Sequence, residues 1–222
     1  MQSSAQSHGA GGDARDNEAR VSLLIATTNA GKMAELRDLL AAVPARLLSL
    51  SDVGLAALDV AEDADTVEGN AIAKARAYAQ ASGLLALADD TGLFVDALGG
   101  APGVYPARYG GPSLLMAERR ALLLEALSGV PDAQRTAAFV CVIAVAEPRT
   151  GAVETARGVC AGRIAQAASN GGGGFGYDPV FIPDGYDVPF SDLPPAEKNR
   201  ISHRGKAARA AIPLLLRLAG AR

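Results

Sequence analysis

Asp89 and Asp90 stand side by side just after the apolar run 84–87 and just before Thr91 and Gly92, where a buried strand is expected to surface into a loop. Like charges held together in a partly buried place raise at least one carboxyl pKa unless a cation neutralises them. Oxygen ligands of this kind suit Mg²⁺, which binds one or two carboxylates and fills its shell with water and substrate phosphates. Asp-Asp-x-Gly is equally good turn chemistry, so a plain surface turn stands beside the metal reading. A second group, Thr27, Thr28, Asn29, Ala30, Gly31 and Lys32, joins an apolar strand-like run to a helical pattern. Such a turn presents free N–H groups and a positive dipole end to an anion, and its hydroxyl, amide and ammonium side chains suit a polyphosphate. The spacing is not that of a P-loop, and an ordinary capped helix with a solvated lysine is the plainer alternative.

Two further groups lie in the C-terminal half. The glycine run 171–174 leads into Phe175, Gly176, Tyr177 and Asp178. It satisfies G-x-G-x-x-G, but the dinucleotide fingerprint must close a strand and open a helix, whereas Pro179 leads into a new strand. A glycine loop that ends in aromatics suits instead a pocket wall for a flat ring, with Phe175 stacked on a base. Lys198, His203 and Arg204 form the last group. The first turn of a helix prefers acids, so His203 and Arg204 are more readily tolerated there when an anion or a carbonyl oxygen is their partner.

These groups need elements to hold them. Residues 21–28 read as a buried strand, 33–42 as a helix with Leu36, Leu39 and Leu40 on one face, and 45–50 as a second strand. The connection 51–65 carries Asp59, Glu62, Asp63 and Asp65, and Thr66 is the expected N-cap of a helix ending near Gly83. On that helix Asn70 and Lys74 share one face, while Ile72, Ala75 and Ala79 pack. Residues 93–98 read as a short strand, and Gly110-Gly111-Pro112 opens a helix lasting to about Leu127. In 104–109, Arg108 is either a phosphate clamp or a support stacked on Tyr105 or Tyr109. Residues 136–146 and 153–159 form a hairpin, and 180–182 a strand. Ser202 caps a final helix reaching about Leu218, kinked or divided at Pro213.

With 222 residues, 49% of them hydrophobic, one α/β domain with a sizeable core is expected. A net charge of −3 argues against general nucleic-acid binding, which leaves a basic patch or stripe. Cys141 and Cys160 have neither metal-ligand nor disulfide-framework spacing and read as reduced core residues. Residues 1–20 lack the apolar stretch of a signal peptide and read as a disordered tail, leaving 21–222 as the domain. No run approaches the roughly 20 apolar residues of a membrane span, so a soluble cytoplasmic protein with no membrane partner is expected.

Taken together, five ordered stretches resemble the inosine/xanthosine triphosphate pyrophosphatase family, which hydrolyses non-standard purine nucleoside triphosphates. They are 27–32, Thr66-Val67-Glu68-Gly69-Asn70-Ala71 with Lys74-Ala75, Ala88-Asp89-Asp90-Thr91-Gly92, Gly174-Phe175-Gly176-Tyr177-Asp178-Pro179 and Ser202-His203-Arg204-Gly205. The resemblance implies a mixed, elongated sheet flanked by helices, with two lobes about a central nucleotide-binding cleft. It implies Asp90 as the catalytic carboxylate and general base with Asp89 beside it, and Mg²⁺ held by Asp90 and Glu62. It further implies Thr27 to Lys32 as the triphosphate grip, Asn70, Lys74 and Thr91 as further substrate contacts, and a homodimer. Phe175, Gly176, Tyr177, Asp178, Lys198, His203 and Arg204 would form the base pocket. Thr28 stands where the family commonly has glycine, Pro106 where it has serine, and the irregular loop 62–66 weakens the match at Glu62. The competing readings are a Maf-type pyrophosphatase acting on modified or pyrimidine triphosphates, a non-catalytic nucleotide sensor, and a hydride-transfer enzyme.

Overall fold

The computed structural model describes residues 21–171 and 174–220. The expected tail 1–20 and the glycines at 172 and 173 lie outside the described residues.

Apolar, β-rich runs build one sheet. Strand β1 (Val21–Ile25) pairs in parallel with β2 (Ala45–Ser49) on one side and β3 (Leu85–Val95) on the other. On its far edge β3 pairs antiparallel with β5 (Thr136–Ala146), which pairs with β6 (Val153–Ile164), and β6 with β7 (Phe181–Pro183). The two-residue strand β4 (Pro102–Gly103) returns to β3. The order β2-β1-β3-β5-β6-β7 is thus mixed, as expected.

Side chains alternate along each strand and divide the core by face. Leu85 and Leu87 point toward helix α1 (Ala30–Leu39) and the C-terminal helix α5 (His203–Gly220), where they meet Leu36, Ala207 and Ala211. Ala86 and Ala88 point the other way, into a core with Val67, Ala71 and Ala75 of helix α2 (Val67–Ser82). The far ends of β3, β5 and β6 carry a second lobe, where Leu93, Phe139 and Ile164 pack with Leu123 of helix α3 (Met116–Ala126) and with Phe181 and Phe190. Cys141 and Cys160 are free and buried, as their apolar settings imply.

Several elements differ from the sequence reading. The two aspartates do not surface into a loop: β3 runs unbroken through them, because β5 supplies partners from Ala86 to Val95. Strand β1 stops at Ile25, and α1 begins at Ala30 rather than Met33, since the Asn29 side chain caps the Lys32 N–H at 3.0 Å. Helix α3 begins at Met116, not at Pro112. Gly110 and Gly111 take positive φ (+78° and +116°), and Arg119 draws in the carbonyls of Tyr109, Gly111 and Pro112, leaving none for a helix. Strand β6 continues to Ile164 past Val159, and a short helix α4 (Pro195–Ile201) precedes α5. Pro213 lies within α5 without dividing it.

Candidate active site

A notch in the sheet creates the cleft. Strand β1 pairs with β3 only as far as Leu87, and β4 resumes on that same edge at Leu93. Between them Ala88 to Gly92 leave one edge of β3 open, and a cleft of about 630 Å³ fills the gap. Ligands in α/β sheets collect where neighbouring strands part in this way.

Because the notch opens to both faces, the adjacent aspartates use it from opposite sides. Asp89 points toward α1 and α5. Its Oδ2 accepts from Lys32 Nζ and from Arg204 Nε, each at 3.1 Å, while the buried Oδ1 has no protein partner. Burial alone would raise the Asp89 carboxyl, but Lys32 and Arg204 together hold it well below the usual carboxylate range. Asp90 points toward α2. Its Oδ1 accepts from Lys74 Nζ at 3.0 Å and its Oδ2 from Asn70 Nδ2 at 3.3 Å. Here burial outweighs Lys74 and Lys32, and the Asp90 carboxyl is raised. Alternation thus gives each acid its own ammonium, Lys32 for Asp89 and Lys74 for Asp90.

Lys74 also meets Glu62 Oε2 at 3.0 Å, so a single ammonium lies between the Glu62 and Asp90 carboxylates. Burial opposes its charge, but Asp90 and Glu62 raise its pKa. Two hard carboxylates converging on one cation suit Mg²⁺, whose remaining shell is ordinarily water and phosphate. Among the described residues no cluster of three or more His, Cys, Asp or Glu offers a closed metal cage, so Mg²⁺ would rest on this pair and on substrate.

At the start of α1 the turn folds on itself. Thr27 Oγ1 accepts from the Asn29 N–H at 3.2 Å, and Thr27, Thr28, Asn29 and Lys32 all line the cleft. Ala30 and Gly31 do not line it. Gly31 lies against the Phe175 ring, and a Cβ there would come within 2.8 Å of Phe175 Cδ1. Asn70 also stays behind the lining, reaching the cleft only through Asp90.

The C-terminal half supplies the aromatic wall. Phe175, Gly176, Tyr177 and Asp178 line the cleft with Thr91, His203 and Arg204. The Phe175 ring is flanked by Lys198 Nζ (4.9 Å) and Arg204 Cζ (5.3 Å). Lys198 is outside the lining, tied to Glu35 at 2.6 Å and Asp178 at 2.8 Å. The His203 ring stacks on Phe139 at 4.5 Å, and its buried Nδ1 has no protein partner. Burial first, then the charges of Arg204 and Lys198, press its pKa well below the ordinary value. The cleft thus presents a neutral imidazole beside a flat ring.

A model of the Ham1 family matches residues 23–214. The chain belongs to the Ham1 family. A dITP/XTP pyrophosphatase of Desulforamulus reducens is 48% identical over 196 residues, spanning 88% of this chain and 96% of the relative. A HAM1 protein from Coxiella burnetii shares the fold at a TM-score of 0.79 and 39% identity, covering 89% of this chain and 99% of its own. The nucleoside-triphosphatase / dITP/XTP pyrophosphatase of Mycobacterium abscessus aligns at 0.69 and 41%, over 87% and 100%.

Sequence reasoning missed several residues in and behind this Ham1 cleft. Glu35 accepts from both Lys198 and Arg204 and joins the base wall to α1. It stands one turn beyond Lys32, the only signal that could have pointed to it. Phe139 and Met116 enter the lining from elements that carry no motif. Arg108 lies over the Tyr105 ring at 4.7 Å, consistent with the supporting role weighed above.

Proposed function

We propose that this protein hydrolyses non-standard purine nucleoside triphosphates (ITP, dITP, XTP) to the monophosphate and pyrophosphate, with the cleft residues in the roles below. The observation that carries the reading is that Asp89 Oδ2 bonds both Lys32 and Arg204 at 3.1 Å. The anion-gripping residues and the base-facing residues therefore meet in one cleft, with Asp89 bridging them. The D. reducens and M. abscessus relatives carry dITP/XTP pyrophosphatase in their names, which supports the same substrate class.

The triphosphate lies against Thr27, Thr28, Asn29 and Lys32, where N–H groups and the ammonium offset its charge. Water attacks the α-phosphorus, forming the new P–O bond as the bridging oxygen leaves with the β-phosphate as pyrophosphate. Asp90 accepts the water proton, the role of a positioned carboxylate. Glu62 and Asp90 would hold Mg²⁺, which supplies charge neutralisation on phosphoryl oxygens when bound. The purine stacks on Phe175. Arg204 offers donors that satisfy a 6-oxo group and leave an adenine amino group facing donor against donor, with the His203 imidazole beside it. Lys198 acts behind the ring, through Asp178 and Glu35, rather than as a direct base contact.

Product analysis with ITP and Mg²⁺ tests the reading. IMP plus pyrophosphate is expected, whereas IDP plus orthophosphate, or faster turnover of UTP or dTTP, would reject it. Asp90→Asn is expected to lower kcat by roughly 10²–10⁴ with the fold intact.

A further inference from the structure

The cleft wall between the acidic loop and the glycine loop is the segment 104–108. Two consecutive residues of it hold opposite sides. The Tyr105 hydroxyl donates to the Ala64 carbonyl at 2.6 Å, two residues beyond Glu62. The next residue, Pro106, accepts at its carbonyl from the Tyr177 hydroxyl at 2.9 Å, two residues beyond Phe175.

The bonds continue inward from Ala64. Its N–H donates to Asn70 Oδ1 at 3.0 Å, and Asn70 Nδ2 donates to Asp90 Oδ2 at 3.3 Å. One Asn side chain thus reads both the acidic loop and Asp90, and its amide has a single orientation that satisfies the two. A continuous path runs from Tyr177 in the base wall, through Pro106 and Tyr105, to Ala64, Asn70 and Asp90.

The middle of this path is stiff. Pro106 opens a 3₁₀ turn ending at Arg108, whose guanidinium lies over the Tyr105 ring. Just beyond, buried Arg119 fixes the carbonyls of Gly111 and Pro112. The two ends belong to different packing regions: Tyr177 is buried with Leu123 and Phe181 in the far lobe, while Val104 packs with the α2 core.

We propose that Tyr105 and Tyr177 are positioning residues, and that 104–108 is a rigid tie setting the Glu62–Asp90 pair in register with a purine held against Phe175. Neither hydroxyl touches reacting atoms; both act through backbone carbonyls. The kinetic consequence rests on the proposed hydrolysis, but the tie itself is tested without turnover.

Tyr177→Phe keeps the ring and deletes one hydroxyl at the base wall. Amide hydrogen exchange on the full chain, without nucleotide, is expected to quicken in peptides covering 60–70 by roughly two- to ten-fold, the range set by one lost hydrogen bond. Tyr105→Phe is expected to do the reverse, quickening exchange in peptides covering 174–178. With ITP, each variant is expected to lower kcat with melting temperature nearly unchanged, and the double variant to lose no more than the worse single, because one tie is cut only once. Exchange that changes only beside each variant's own partner, or losses that multiply, would overturn the tie. If ITP is not a substrate at all, the exchange result still decides this proposal separately from the proposed function.

Discussion

His203 sits wholly buried at the first turn of α5, stacked on Phe139 and beside two cations, so protonating it in place is strongly opposed. The unfolded chain titrates this imidazole near 6.5, and the folded one well below that. Between the two values the unfolded state binds the extra proton, so the stability this contributes is present above about 6.5 and lost as pH falls through it. A slope approaching about 1.4 kcal/mol per pH unit is expected from this one group below pH 6. Asp89, whose carboxyl is depressed, adds acid sensitivity only as pH approaches the ordinary carboxylate range near 3.8. Asp90 and Asp178 are raised and oppose the loss where they begin to protonate. Urea unfolding at a series of pH values, with His203→Gln as the comparison, isolates the histidine. Equal slopes for the two proteins between pH 6.5 and 5 would show that His203 carries no such linkage.

At the scale of the element, helix α2 is delimited by local chemistry. Thr66 Oγ1 accepts from the Gly69 N–H at 3.0 Å, and Gly83 ends the helix in the left-handed region at φ +68°. Thr66→Ala is expected to cost about 1 kcal/mol, read as a lowered melting temperature. The cap also fixes where Asn70 and Lys74 emerge, so on the proposed Glu62–Asp90 site for Mg²⁺ the metal concentration for half-maximal activity should rise in the same variant. Both ends of α2 were legible because caps are decided within a few residues, as was the β5–β6 hairpin. The Asp89-Asp90 stretch was misread because its outcome depends on strands far along the chain. Paired carboxylates suggest a loop until β5 arrives to pair ten residues of β3. Glu35 was invisible for the same reason, since its partners lie 163 and 169 residues away. Lys198 reads from the sequence as part of the base pocket, but its ties to Glu35 and Asp178 keep it outside the cleft lining, and those partners lie too far along the chain to be read from local pattern.

Across the whole molecule, the proposed base recognition would depend on how closely α5 lies on the sheet. At Gly158 of β6 an added Cβ would stand 2.1 Å from the His203 carbonyl oxygen and 2.4 Å from the Ala207 nitrogen, so helix and strand meet with no room for a methyl group. The turn resting there is the one that carries His203 and Arg204, and Arg204 is in turn bonded to Asp89 and Glu35. Gly158→Ala must lift this turn, because backbone on both sides cannot yield locally. Overpacking of this kind typically costs about 1–3 kcal/mol, and a fall in melting temperature is expected. A rigid shift of α5 would also withdraw Arg204 and His203 from the base while leaving Lys32 and the α1 turn in place. Turnover of ITP should therefore fall more than any residual turnover of ATP, with the ratio measured at a temperature where the variant stays folded. A folded Gly158→Ala protein with an unchanged ITP-to-ATP ratio would mean that purine selection is set within the Phe175 wall alone, independent of where α5 rests.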